Sequence, residues 1–204
     1  MERRTRALAV TAIVTTGAVA VGELARVWRH GDAPLPAETD DVRTAAEVAI
    51  EQTVEVAKAG YRGGSTRENA LLNLLLGFTG TFVVARISTA TIRRRGRFGP
   101  FRNVVAGEHH IHHFVPGIAL AFIAGGASLI SRNEDLDPLL AVPFGAGVAL
   151  TLDESALLLK LDDVYWTEEG ILSLQITLAT MAMLSALTLV LRALRRGESE
   201  VLNT

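Results

Sequence analysis

Four of the chain's five histidines fall within five residues: His109, His110, His112 and His113, in the stretch GEHHIHHFVPG (residues 107–117). Imidazole is both a metal ligand and a proton carrier near neutral pH. A second polar block, LDESALLLKLDDVYW (residues 152–166), brings Asp153, Glu154, Asp162 and Asp163 into an otherwise apolar run. Imidazole and carboxylate together suit a divalent metal ion such as Zn, Fe or Mn. Such an ion can activate water for attack on an ester or phosphate. His109, His112, His113 and Glu154 are the leading candidate ligands, with Glu108 and His110 beside them. Asp153 or Asp162 is then the candidate general base. Three readings stay open for the histidines: a metal site, a metal-free proton relay or pH sensor, and hydrogen bonding to headgroups or loop carbonyls. For Asp153 and Glu154 the alternative is a buried ion pair with Arg86.

The elements that must position these residues are membrane spans. The chain has 204 residues, 49% of them hydrophobic, and a formal net charge of -2. The apolar residues gather in blocks at 7–28, 70–92, 112–130, 139–161 and 171–194. Each is close to the ~20 residues that cross a bilayer. The fold class expected is therefore all-α: a polytopic helical bundle of about five spans. The organisation follows as a first span at 1–29, an extramembrane segment at 30–68 and a four-span membrane domain at 69–204. MERRTR followed by an apolar run and Ala18-Val19-Ala20 also fits a cleaved signal segment. A retained span is the reading adopted, because apolar character continues to Trp28. Without cysteine, disulfides and thiolate metal sites are excluded. No feature points to nucleic acid.

Arginine is concentrated at Arg3, Arg4 and Arg6 and again at Arg93, Arg94, Arg95, Arg97 and Arg102. The positive-inside rule then places the N-terminus of a multi-pass protein in the cytoplasm. Arg192, Arg195 and Arg196 fit that assignment less well, since they fall on the opposite side. Spans three and four form a hairpin, so the histidine block and the 152–166 block lie at one membrane face whichever way the protein is inserted. A helix carried back through the histidine block places His109, His112 and His113 on one side at spacings of three and four. Pro116 in its first turns then frees the carbonyl of His112.

Between spans one and two, residues 37–61 carry an apolar stripe at Val42, Ala45, Ala46, Ala49, Ile50, Val54, Ala57 and Tyr61. The other face carries Glu38, Asp41, Glu47, Glu51 and Glu55. An extramembrane helix packed on the rest of the chain is expected, and a surface for a protein partner is the alternative. Asn69 and Asn73 are expected to bond between helices, and Gly77, Gly80, Gly145 and Gly147 to allow close helix contact.

His109, His112 and His113 spell HxxHH, which resembles one histidine box of membrane di-iron desaturases and hydroxylases. Those families need further boxes, and no histidine follows His113, which argues strongly against a classical desaturase. EHHIHHFVPG together with LDESALLLKLDDVYWTEEG resembles a family of bacterial integral membrane proteins common among actinobacteria. In that family a HIHHF block precedes one span and a DE-x-A-L…DVYW-x-x-x-G block closes the next. The resemblance covers about a third of the chain, roughly residues 104–170. Pro116 and Ser155 stand where aromatic residues are expected in relatives. It implies the architecture and joins the two blocks as one unit, but implies no reaction. The bilayer is the expected environment. A membrane metalloenzyme acting on a lipid or lipid-linked phosphate leads the functional expectations. A non-enzymatic sensor or partner scaffold is the alternative.

Overall fold

The computed structural model describes residues 3–95, 105–106, 109–110, 114–131, 133–153 and 168–202. Six helices make up almost all of it: α1 Arg3–His30, α2 Val42–Arg62, α3 Thr66–Arg95, α4 Phe114–Ser131, α5 Asp137–Asp153 and α6 Glu168–Val201. A 3-10 turn, Glu134–Leu136, leads into α5. Among the described residues the only extended pairing is antiparallel, Val105–Ala106 (β1) against His109–His110 (β2). The fold is all-α, and five helical segments are long and apolar enough to cross a membrane: 6–30, 66–92, 114–131, 134–153 and 175–201. A helix suits that environment because it satisfies its own backbone polar groups where no water can.

Small residues decide how the membrane helices meet. α3 and α5 run parallel, and a methyl group on Gly77 would come within 2.6 Å of the Val142 carbonyl oxygen. One on Gly145 would collide with the carbonyl of Leu74. α4 is antiparallel to α5, with Gly147 facing Ala121 N and the Gly117 carbonyl, each 2.6 Å from its would-be methyl. Backbones thus approach closely where lipid supplies no hydrophobic drive for association. Gly80 departs from expectation, with nothing within 4 Å of its missing side chain. Its missing side chain would point away from the described helices that pack on α3 at Phe78 and Phe82. Phe78, Phe82 and Ala149 form the buried centre between α3 and α5, and Ala179 and Ala182 pack on it from α6.

α6 has 34 residues, about 51 Å of helix at 1.5 Å per residue, against a hydrocarbon core of about 30 Å. Its surplus C-terminal turns pack with α2 and the end of α1 around Val27, Val56 and Leu194. α2 runs antiparallel to it, with Gly60 pressed on the Ala193 carbonyl and Gly197 on the Val56 carbonyl. The buried face of α2 is Ala45, Ala49, Gln52, Val56 and Gly60. That corrects the expected stripe: Val42, Ile50 and Val54 are about half exposed, and Val56 takes their place. The glycine contact rotates the helix, so closeness of approach, rather than side-chain hydrophobicity, selects the face. The helix starts at Val42, with Asp41 as its N-cap. That carboxylate accepts from the Thr44 hydroxyl at 2.6 Å and from Thr44 N at 3.1 Å, an N-cap.

The arginines that fitted the charge rule poorly are neutralised here. Arg195 bonds Glu23 of α1 at 2.7 Å and Glu198 of its own helix at 3.1 Å. Arg26 reaches the same Glu198 at 2.9 Å. Arg196 bonds Glu68 of α3 at 2.9 Å and the Gly60 carbonyl at 2.9 Å. Arg192 lies 3.8 Å from Glu68. Glu23 and Arg26, which interrupt the first apolar block, are therefore partners of α6. Asn69 and Asn73 bond between helices as expected. Asn69 donates to the Tyr61 carbonyl, and Asn73 donates to the Tyr61 hydroxyl and the Pro138 carbonyl.

Two outcomes follow. Gly60→Ala or Gly197→Ala forces α2 from α6 and lowers stability by about 1–3 kcal/mol in denaturant unfolding of the micelle-solubilised protein. Gly80→Ala, with open space around it, does not lower it. The Thr44 hydroxyl, and secondly its backbone N–H, hold the Asp41 carboxyl below its ordinary 3.8. A depressed carboxyl stabilises the fold above its unfolded pKa and loses that contribution as pH falls through the lower folded value. Amide-exchange protection in the first turn of α2 should therefore hold from neutral pH down to about 4 and then fall. Asp41→Ala should show the low protection at every pH.

Candidate functional site

At the opposite end of the bundle from α2, three helices place charged and polar side chains inside the apolar core. α3 supplies Arg86, one turn after Phe82. Phe82 stacks on Phe78 with ring centroids 6.1 Å apart. The Arg86 guanidinium carbon lies 5.3 Å from the Phe82 ring centre, a cation–π contact. α5 supplies Asp153 in its last described position, with a side chain only 3% exposed. Arg86 Nε meets Asp153 Oδ1 at 2.5 Å. α6 supplies Gln175, which is buried. Its amide nitrogen donates to the carbonyls of Leu152 at 2.5 Å and Asp153 at 3.0 Å, and its amide oxygen accepts from Arg86. Arg86 also donates to the Asp153 carbonyl at 3.2 Å.

The last carbonyls of a helix have no partner within it. Here Gln175 and Arg86 both donate to carbonyls at the described end of α5, and the Asp153 carboxylate neutralises the guanidinium. The cluster lies on α3 about 20 Å beyond the Asn73–Pro138 contact, at 1.5 Å per residue. That depth is within the hydrocarbon thickness of about 30 Å. Ionisable groups at such a depth are costly unless paired. The ion pair that the sequence offered as an alternative for Asp153 is thus formed. Gln175 was not anticipated, because one amide in an apolar span carries no periodic signal and gains its role only from helices far away in sequence.

The hairpin argument holds. Gly117 near the start of α4 lies against Leu150 and Thr151 near the end of α5. At the other end, Ser128 donates to Asp137 at 2.6 Å. The entry to α4 and the Arg86–Asp153–Gln175 cluster are therefore at one end of the bundle. His109 and His110 lie in the two-residue pairing, Ala106 opposite His109 and Val105 opposite His110. The expected helical face joining His109 to His112 and His113 is corrected accordingly. His109 is in extended backbone held by the 105–106 strand, so helical spacing does not relate it to the later histidines. Pro116 falls in the first turn of α4 as described, and the His112 carbonyl it was expected to free lies outside the described residues. So do Glu108, His112, His113, Glu154 and Asp162. Among the described residues, no three His, Asp or Glu are grouped to hold one metal ion.

No family model matches the chain, and neither does any curated protein or solved structure. The functional reading therefore rests on the chain's own chemistry.

Removing one partner of a buried ion pair leaves the other charge uncompensated, at a cost of roughly 3–5 kcal/mol. Arg86→Met and Asp153→Leu should each destabilise the micelle-solubilised protein by an amount at the lower end of that range, because Arg86 is 34% exposed. The double variant should recover much of the loss. Equal and additive losses in a double-mutant cycle would mean that the pair does not hold α3 to α5.

Proposed function

We propose that the chain is an integral membrane protein of the bacterial plasma membrane with a His/carboxylate metal site near its cytoplasmic face. In this reading it hydrolyses a lipid or lipid-linked substrate. The supporting observation is the intramembrane Arg86–Asp153–Gln175 cluster, at the end of the bundle where the histidine block enters α4. The cluster fastens the end of α5, and the next residue in the chain is Glu154. His112, His113 and Glu154 are the proposed ligands, with His109, His110 and Glu108 adjacent in sequence. Asp162 is the proposed base, since Asp153 is engaged by Arg86. A divalent ion there would supply Lewis acidity and an activated water. The resemblance of the two blocks to the actinobacterial membrane family belongs to the same proposal, as does the cytoplasmic N-terminus.

One observation favours a second reading, a non-enzymatic membrane component that holds a protein partner. Val42, Ile50 and Val54 stay exposed on α2, on a helix that also carries Glu47, Glu51 and Glu55.

Elemental analysis of the purified protein separates the two. The metal reading expects close to one equivalent of Zn, Fe or Mn in the wild type and its loss in His112→Ala/His113→Ala. Metal absent from gently purified wild type, with unfolding unchanged by added Zn or Fe, would sink it.

A further inference from the structure

At the α2 end of the bundle an open cavity of about 400 Å³ lies between the α2–α3 elbow and the turn joining α4 to α5. Tyr61, Arg62, Asn69 and Asn73 line it from one side, and Asp135, Pro138 and Leu139 from the other. The volume is near the lower end of the ~300–1,000 Å³ of ligand sites, so it suits a headgroup rather than a whole lipid. Its height in the membrane follows from its walls. Leu139 opens α5 with 68% of its surface exposed, on a segment apolar enough to cross the bilayer. Arg62 is exposed outside every such segment, and Asp135 is exposed in the first turn of the segment that also carries Leu139, at its very edge. The cavity therefore straddles the level where acyl chains give way to headgroups.

The two charges on its rim have opposite sign and come from different elements. Among the described residues neither the Arg62 nor the Asp135 side chain makes a hydrogen bond or ion pair. That sets them apart from Arg192, Arg195, Arg196, Glu23, Glu68 and Glu198 nearby, all of which pair. The floor is fixed, since Asn73 ties the Tyr61 hydroxyl to the Pro138 carbonyl. With its oxygen accepting from Asn73, the Tyr61 hydroxyl keeps its own proton to donate.

We propose that this cavity binds the headgroup of a zwitterionic phospholipid bearing a primary amine. Arg62 takes the phosphate, as guanidinium groups do. Asp135 takes the ammonium group, and the acyl chains descend past Leu139. An anionic headgroup without an amine would satisfy Arg62 and leave Asp135 facing like charge. A carboxylate on the rim therefore makes the site selective rather than merely cationic. This inference is independent of the metal site at the other end.

Native mass spectrometry of the delipidated full chain tests it. The additions are phosphatidylethanolamine, phosphatidylglycerol, glycerophosphoethanolamine or inorganic phosphate. Wild type should retain phosphatidylethanolamine at least about fivefold better than phosphatidylglycerol. Asp135→Asn should abolish that preference, and Arg62→Gln should weaken retention of both lipids. Both residues are exposed, and unchanged unfolding midpoints would show that neither substitution disturbs the fold. Retention of the two soluble compounds should be at least tenfold weaker, since they lack chains for Leu139. Equal retention of the two lipids by wild type, or no effect of either substitution, would overturn the proposal. Soluble phosphate binding as well as the lipid would overturn it in favour of a free-phosphate site.

Discussion

Arg86 and the buried Asp153 pair within a bundle of helices apolar enough to cross a membrane, and much of the architecture follows from that pairing. A guanidinium at this depth must find an anion and further acceptors, and it finds both at the end of α5. The carboxylate must likewise be met from another helix, which fixes α3 against α5 in register. Gln175 adds α6 by donating to the Leu152 and Asp153 carbonyls and accepting from Arg86. Three helices are thereby tied at one level by groups that would each be costly alone. The glycine contacts along α3 and α5 permit the approach that the polar cluster needs. Without Gly77 and Gly145 the backbones would stand further apart and the ion pair could not close as it does.

The other end of the bundle solves a different problem. There α6 outruns the bilayer, and its surplus turns carry Arg192, Arg195 and Arg196 followed by Glu198 and Glu200. Each isolated pair near the surface contributes little, about 0–1 kcal/mol. Shared partners make the arrangement specific, because Glu198 receives both Arg26 and Arg195 while Glu68 receives Arg196. These pairs join α1, α3 and α6 just where α2 packs through Gly60 and Gly197.

The two ends have different chemical characters. One is a small polar cluster of Arg86, Asp153 and Gln175 at the end where the histidine block enters α4. The other is a solvated collar of ion pairs with an amphipathic helix and an open interfacial cavity. Activity in the first and lipid or partner contact at the second would make use of both.

Much of this could be read directly from residue order. Long apolar blocks required spans, since each buried backbone group must be satisfied internally, and the hairpin of spans three and four placed the two polar blocks at one end. Arg86 as a partner for Asp153 was legible because an arginine in a span must pair with something, and few acids were within reach. The close contacts at Gly77, Gly145 and Gly147 were legible as small residues in spans, whereas Gly80 looks identical in sequence and touches nothing. Only tertiary structure decided which glycines face a neighbour and that α2 turns Val56, not Val54, inward. It also decided that Gln175 donates to carbonyls of α5 and that His109 lies in a strand pairing rather than on a helix. The reason is common to all four. Sequence periodicity defines a residue's position on its own element, but the rotation and height of one element against another come from contacts between residues far apart in the chain.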